Sequence, residues 1–431
     1  MKNRTNQRLE EVTVNTLIVG MDIAKSKHWA RFTDYRGLEM GKAVSFTNDR
    51  EGFESIVARI EQLRNNKATA RKFMQVLIGM EPTGHYWKAL AYYLTERGYR
   101  VVGVNPYHAK KAKELDDNST TKNDKKDALT IARLVKDGRF FDPYLPTDIY
   151  AELRVIASTR ESVMKRNNAV KNTITAILDE FFPEIRKAFK YPLKGKASRQ
   201  VLKVCPFPSI ILELGEDGVL AAIKEAVKKS VGMKKVRELM RVAANSVGVV
   251  YGQISAKMRL GLLLEELTLI ENQLDFIEAS MEKLLHMTDY AKAFLSIKGI
   301  GVVTAARFLG EVGDPLRFDN ASQIANYAGY NLVEDSSGNS KSGTIISKRG
   351  RSRLRSLLYQ MAFSMVATNA EMKALHKHLT TRAKNPLKKK QSLVVISKKI
   401  ITVIYSLLKK RATYDPALAL GTVRREMMRA A

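Results

Sequence analysis

The spacing of apolar and polar positions changes character along the chain. Over the first 150 residues, short apolar runs alternate with segments of helical period. TLIVGMDIAK (16–25) is a mostly apolar run carrying one acid, and 28–34 and 42–47 are short strand-like segments. Residues 51–63 have helical periodicity, and FMQVLIGME (73–81) reads as a second buried strand. A helix over 86–97 is stopped by Gly98, and a strand over 99–105 is stopped by Pro106. The order β-β-β-α-β-α-β predicts an α/β fold in which helices cover a mixed sheet.

From about 151 to 287 the pattern is almost wholly helical, broken only at 191–208 by Pro192, Gly195, Pro206 and Pro208. Leu260, Leu263, Leu267, Ile270, Leu274, Ile277, Met281 and Leu284 recur at alternating spacings of three and four, the seam of a coiled coil. That seam fits a hairpin against residues 156–182 of the same chain as well as an intermolecular coiled coil, and either makes an arm. The last region predicts a helical stretch around 294–313, a helix near 320–328, a Ser/Gly-rich loop at 335–343 and a basic helical tail. KGIG (298–301) has the form of a helix-hairpin-helix turn, in which backbone N–H groups approach a phosphate. A glycine turn between two core helices has the same sequence. The expected division is 1–150, an α/β domain; 151–290, a helical arm with an inserted lobe at 194–244; and 291–431, a mainly α domain.

Charge adds a partner to this picture. Lys plus Arg number 73 against 44 Asp plus Glu, a net +29, and residues 341–431 hold 21 of the cations against 3 acids. Such an excess calls for a polyanion, nucleic acid before membrane. The longest apolar run near the tail, 400–408, is too short to span a bilayer, and the N-terminus has no apolar signal segment. The reading is therefore no membrane partner and a cytoplasmic, nucleoid-associated location. The single Cys205 excludes an internal disulfide and multi-cysteine zinc sites, and the six histidines lack zinc spacing, so any metal falls to carboxylates.

Four acids stand out. Asp22 lies near the end of the first strand and Glu81 closes a central one, where open α/β sheets place ligands. Asp124 and Asp127, in KNDKKDALTIARLV (122–135), share a face if that segment is helical. Hard oxygen donors suit Mg²⁺ or Mn²⁺, and a pair of such ions can activate a nucleophile and steady the leaving oxygen of a phosphodiester. Singly, each acid also has an ordinary structural use, as a cap or a strand terminator. Acids placed in apolar strands are unusual without a partner.

GMDIAKSKH (20–28), GMEPTGHYW (79–87), VNP (104–106) and TKNDKKDA (121–128), followed in order by KGIG (298–301), AGYNLVEDSSGNSKSG (328–343) and ISKRGRSRLR (346–355), resemble the motifs of the DEDD transposases of insertion sequences. The resemblance runs from about residue 16 to 414. It implies a RuvC-like, RNase H-type N-terminal domain and a C-terminal transposase domain, acting on double-stranded DNA. It puts Asp22, Glu81, Asp124 and Asp127 on the family's metal-binding acids, with two Mg²⁺ or Mn²⁺ ions expected. Ser337, in SGNSKSG, falls on the serine that becomes covalently joined to DNA through a 5′-phosphoserine; Ser336 is its neighbouring alternative, because this loop lacks the family's usual proline. Read without the family, the loop is a flexible solvated one. The resemblance further implies a structured guide RNA, as in the bridge recombinases, and a homo-oligomer, dimer or tetramer. Lys298, Lys341, Lys348, Arg349, Arg351, Arg353 and Arg355 are the candidate phosphate-holding residues.

Two alternatives remain at this level. A RuvC-like nuclease would hydrolyse DNA with the same acids and no covalent serine step, and a nucleic-acid packaging protein would use the charge alone.

Overall fold

The computed structural model describes residues 4–65, 73–116, 124–227, 232–337 and 340–421, with only the backbone described at 4–5, 115–116, 124, 334–337 and 340–344. Two units divide at Leu145 and Pro146.

In the first unit, α1 (Arg4–Glu11) precedes β1 (Thr16–Asp22), β2 (Lys27–Thr33) and β3 (Val44–Thr47); α2 (Arg50–Arg64), β4 (Gln75–Met80), α3 (Trp87–Glu96) and β5 (Arg100–Val104) follow. The unit closes with α4 (Pro106–Asp116), α5 (Asp124–Lys136) and the short β6 (Phe140–Phe141). The sheet order is β3-β2-β1-β4-β5-β6. β1, β4 and β5 are parallel, whereas β2, β3 and β6 run antiparallel to their neighbours. This is the mixed sheet the sequence order predicts.

Alternation along β1 sorts its side chains between two layers. Leu17, Val19 and Met21 join Ile56 and Ile60 of α2 and Leu90 and Leu94 of α3 in one core. Ile18 joins Leu77 of β4, Val102 of β5 and Ile131, Ala132 and Val135 of α5 in the other. On that second face Gly20 pairs with Gly79 across the two parallel strands. A Cβ on Gly20 would lie 2.1 Å from the carbonyl oxygen of Ala128 and 2.4 Å from the nitrogen of Ala132; one on Gly79 would lie 2.4 Å from Val135. The two glycines form a shallow trough, and α5 lies in it.

The second unit begins with α6 (Asp148–Phe181), followed by α7 (Ile185–Ala188), α8 (Lys196–Val204), α9 (Pro208–Ala226), α10 (Met233–Ala244) and α11 (Gln253–His286). α6 and α11 are both 34 residues long and pack antiparallel within one chain. The apolar seam is the cause: Leu260, Leu267, Ile270 and Leu274 share a core with Val170, Ile174 and Ile177, while Ile277 and Met281 meet Leu153 and Ala157. Of the two arrangements the heptads allow, the hairpin is observed. The seam drifts at both ends. Leu285, not Leu284, is fully buried, and Leu263 shares its place with Leu264, both half-buried. A helix of 3.6 residues per turn moves off a 3.5-residue repeat in this way. Arg160 Nε and Nη2 both donate to Glu278 Oε1, at 2.8 and 2.6 Å, tying the two helices along their flank.

Helices α7 to α10 form a lobe whose core contains Ile185, Val201, Leu202, Phe207, Ile223, Val236 and Leu239, with the buried Cys205 among them. Its two ends meet. Ser246 Oγ donates to Glu184 at 2.6 Å, and the backbone N–H of Val249 donates to the carbonyl of Glu180 at 3.0 Å.

The rest of the unit comprises α12 (Ala291–Leu295), α13 (Val302–Val312), α14 (Ala321–Tyr327), β7 (Leu332–Ser337), β8 (Ser340–Ile346), α15 (Ser352–Thr368), α16 (Ala370–Thr381), α17 (Lys389–Lys410) and α18 (Pro416–Ala419). The segment read from sequence as a Ser/Gly-rich loop is an antiparallel hairpin, β7 paired with β8. Two strands separated by Gly-Asn are a hairpin signal, masked by the polarity of the flanking residues; Gly338 and Asn339 lie outside the described residues. Among the described residues α17 alone has the length and hydropathy of a membrane span, and half of its most apolar window is buried. Ile396, Ile400, Ile401 and Ile404 pack in the core with Leu354, Leu358 and Met361 of α15.

The trough makes a direct prediction. Gly20→Ala drives a methyl into the main chain of α5, so the urea midpoint of the first unit should fall by the equivalent of about 1–3 kcal/mol or more, as for overpacked cores. Gly261→Ala, in α11 with open space around the added Cβ, should leave the midpoint unchanged or raise it, since Ala is favoured over Gly in a helix.

Candidate active site

The first cluster is built on β1 and β4. Their parallel register pairs Met21 with Met80, so Asp22 and Glu81 are the next residues on neighbouring strands, at their C-terminal ends. The alternation that turns Gly20 toward α5 carries on to Asp22 in the same strand. Both acids are half-buried. α5 contributes Asp127, adjacent in the chain to Ala128, whose carbonyl lies over Gly20. Asp127 is 7% exposed, and Lys113 Nζ of α4 sits 2.6 Å from its Oδ2. A carboxylate at that depth needs a counter-charge, and α4 supplies one. Asp124 is the first residue of α5, one turn ahead of Asp127; its side chain lies outside the described residues.

The donor chemistry of these acids fits a hard divalent cation. Among the described residues, however, no three His, Cys, Asp or Glu side chains converge closely enough to hold a metal ion. Asp22, Glu81 and Asp127 are thus gathered on adjacent elements without forming a closed ligand set.

Two residues next to Asp22 were not singled out from sequence. His28, in β2, is fully buried, and its Nδ1 accepts from the backbone N–H of Ala24 at 3.2 Å, fixing the turn that follows Asp22. Burial holds its pKa below the usual histidine value, against a raising contribution from Asn48; an accepting Nδ1 requires that neutral ring. Its place in GMDIAKSKH was the available signal. Trp29 pairs with Asp22 across β1 and β2. Lys27 Nζ lies 5.4 Å and Lys125 Nζ 4.9 Å from the centre of its ring.

The second cluster surrounds the hairpin. Ser337 pairs with Ser340 at its closed end, and Ser336 pairs with Lys341. These are backbone positions; the side chains of Ser336, Ser337 and Lys341 lie outside the described residues. Lys348 and Arg349, beyond β8, are exposed, and Lys348 adopts the left-handed conformation at φ 55°. The other arginines are engaged. Arg351 Nε and Nη2 donate to Glu311 Oε2 at 2.8 and 2.7 Å. Arg355 Nη1 donates to the carbonyls of Ala328 and Lys348 at 2.9 and 3.1 Å. Arg353 pairs with Glu161 at 3.2 Å and is itself exposed. Of the predicted phosphate-holding set, Arg351 and Arg355 therefore direct donors into the fold. In KGIG, Lys298 is exposed; Gly299 has φ 101° and packs against Thr368 and Met365 of α15, whereas Gly301 has open space beside it.

A family model described as "Transposase", of the DEDD type, matches residues 19–183, and one described as "Transposase IS116/IS110/IS902 family" matches residues 291–377. The IS116 insertion-element 44.8 kDa protein of Streptomyces clavuligerus is 24% identical over 93% of this chain and 96% of its own length. The pilin gene-inverting protein of Moraxella bovis is 24% identical over 92% and 97%, and the IS110 insertion-element 43.6 kDa protein of Streptomyces coelicolor is 23% identical over 70% and 74%. With its sheet-borne acids under the first match and its helical C-terminal part under the second, the chain belongs to the IS110/IS116/IS902 family of transposases, enzymes that recombine DNA.

Proposed function

We propose that the protein is an insertion-sequence recombinase that cuts and rejoins DNA through a covalent serine ester. In this reading residues 1–145 are an RNase H-like, RuvC-like catalytic part, 148–286 an arm, and 291–421 the serine-bearing part. The observation that carries it is the register of β1 and β4, which sets Asp22 and Glu81 side by side at parallel strand ends with α5 pressed against the same face.

Asp22, Glu81, Asp124 and Asp127 would hold divalent cations, Mg²⁺ or Mn²⁺, whose charge would stabilise the phosphorane and ease loss of the serine proton. The residues have separate tasks. His28 keeps the turn after Asp22 in place, and Lys113 neutralises Asp127 inside the fold. Ser337 Oγ attacks the scissile phosphorus: an Oγ–P bond forms, the P–O3′ bond breaks, and a free 3′-hydroxyl leaves. The strand end is then a 5′-phosphoserine. Hydrolysis would discard the phosphodiester bond energy; the ester keeps it, so that the 3′-hydroxyl of another strand can displace serine without an external energy source. The hairpin register supports this role, because Ser337 is the last residue of β7 and pairs with Ser340 at the closed end. A structured guide RNA and a homo-oligomer, dimer or tetramer, complete the proposal by the family resemblance. Lys298, Lys341, Lys348, Arg349 and Arg353 are the phosphate-holding set, with Arg351 and Arg355 shaping the surface from within.

Asp22→Asn and Glu81→Gln should each lower strand cleavage by roughly 100-fold or more, the scale of losing one preorganised electrostatic group, with unfolding midpoints near that of the parent. Retained cleavage in both variants would remove the acids from the chemistry. In denatured reaction mixtures the parent protein should carry covalently attached DNA. Ser337→Ala should carry none and Ser336→Ala should retain it; cleavage at full rate by Ser337→Ala without any adduct would favour the hydrolytic nuclease.

A further inference from the structure

The inserted lobe has no part in the chemistry above, and it lies between the two matched regions, 19–183 and 291–377, outside both. Its charge is nonetheless lopsided. Residues 185–212 contain seven Lys or Arg and no Asp or Glu. The structure brings much of this charge to one place. α8 presents Lys196, Arg199, Gln200 and Lys203 to a groove of about 320 Å³, while Ala197, Ser198, Val201 and Leu202 face the lobe core. The opposite wall is α11, through Gly261, Leu264, Glu265 and Thr268.

Just before α8 stands Tyr191, 57% exposed, with Lys190 Nζ 5.5 Å and Lys194 Nζ 5.0 Å from its ring centre. Of the acids around the groove, Glu271 is neutralised locally, while Glu225 and Glu265 have no salt bridge among the described residues. Glu271 is bound by Arg199 at 2.6 and 2.7 Å and lies 3.5 Å from Lys171, and Glu225 accepts from Gln200 at 2.8 Å. Lys190, Lys194, Lys196 and Lys203 are all exposed and make no salt bridge among the described residues. Glu265 is the remaining acid of the lining.

We propose that this groove, together with Tyr191 in the segment that leads into α8, binds an unpaired nucleic-acid strand, Tyr191 stacking on a base and Lys194, Lys196 and Lys203 following the phosphates. An exposed ring between two cations, in the segment leading into a helix whose exposed lysines line a groove, is a combination by which single strands are held: every base offers a stacking face, and each phosphate contact releases a counterion. A base paired in a duplex has no free face for the ring, which separates this site from a duplex-binding surface. Arg199 is a positioning residue, because its guanidinium is committed to Glu271 and cancels that charge beneath the strand.

The test uses the full chain and fluorescence anisotropy with labelled 15-nucleotide single strands, as RNA and as DNA, and the matching duplex. Lys194→Ala/Lys196→Ala/Lys203→Ala should weaken single-strand binding by roughly tenfold or more, and reduce the slope of log K against log salt by about 2, the expectation for three lost phosphate contacts. Tyr191→Ala should weaken it roughly tenfold and Tyr191→Phe should not, because stacking needs the ring and not the hydroxyl. Duplex binding should change less than twofold in all variants. The RNA and DNA arms report which sugar is preferred, and the predicted loss on either supports the site. Unchanged affinity for both single strands in the triple variant, or an equal loss on duplex and single strand with Tyr191→Ala silent, would overturn it. The measurement involves no strand cleavage, so its outcome is independent of the acids and of Ser337. The substituted side chains are exposed, and circular-dichroism melting curves matching the parent would confirm that the fold is kept.

Discussion

The first unit depends on how closely a helix can approach a sheet. Helix and sheet normally keep a layer of side chains between them; at Gly20 and Gly79 that layer is missing and the backbone of α5 comes down onto the strands. Three consequences follow from one contact. Asp127 is carried into the interior beside Ala128, its burial demands the ammonium of Lys113, and α4 is held in place by that pair. Asp22 and Glu81 lie two residues beyond the same glycines, so the contact that packs the core also fixes where the strand ends meet the helix. Stability and site geometry are one problem here.

The second unit solves a different one, keeping two long helices together over 34 residues each. A continuous apolar seam does most of this, and the charged flanks add orientation, since Arg160 with Glu278 and Arg166 with Glu266 join α6 to α11 in the antiparallel arrangement seen. Exposed ion pairs contribute little to stability. Their value lies in excluding a slipped register, which the regular seam alone would tolerate.

Much of this was legible in the sequence, because buried strands and heptad seams are periodic signals. The β-strands around Asp22 and Glu81 and the helical arm are where periodicity placed them. The hairpin at 332–346 was not, because its polar strands look like a loop until cross-strand pairing is seen. Nor does the run of arginines after it reveal that Arg351 and Arg355 bond inward to Glu311, Ala328 and Lys348; a basic side chain reads alike in sequence whether its donors meet water or a carbonyl. His28 was hidden for a similar reason, its role resting on a backbone N–H four residues away. The drift from Leu284 to Leu285 is the small price of reading a 3.6-residue helix with a 3.5-residue template.

The clasp at the base of the lobe has a further meaning. Where a chain leaves a helical pair and returns to nearly the same point, joined here by Ser246 on Glu184 and Val249 on Glu180, the excursion is geometrically detachable. Its entry and exit already sit at the separation of a short turn, the circumstance in which insertions and exchanges are tolerated. The arm is thus a socket. A different module seated between Glu184 and Ser246 would have to cover the apolar side that Val201, Leu202 and Phe207 share with the two long helices; with that met, the features the lobe contributes could be exchanged separately from the machinery at the far ends of the chain.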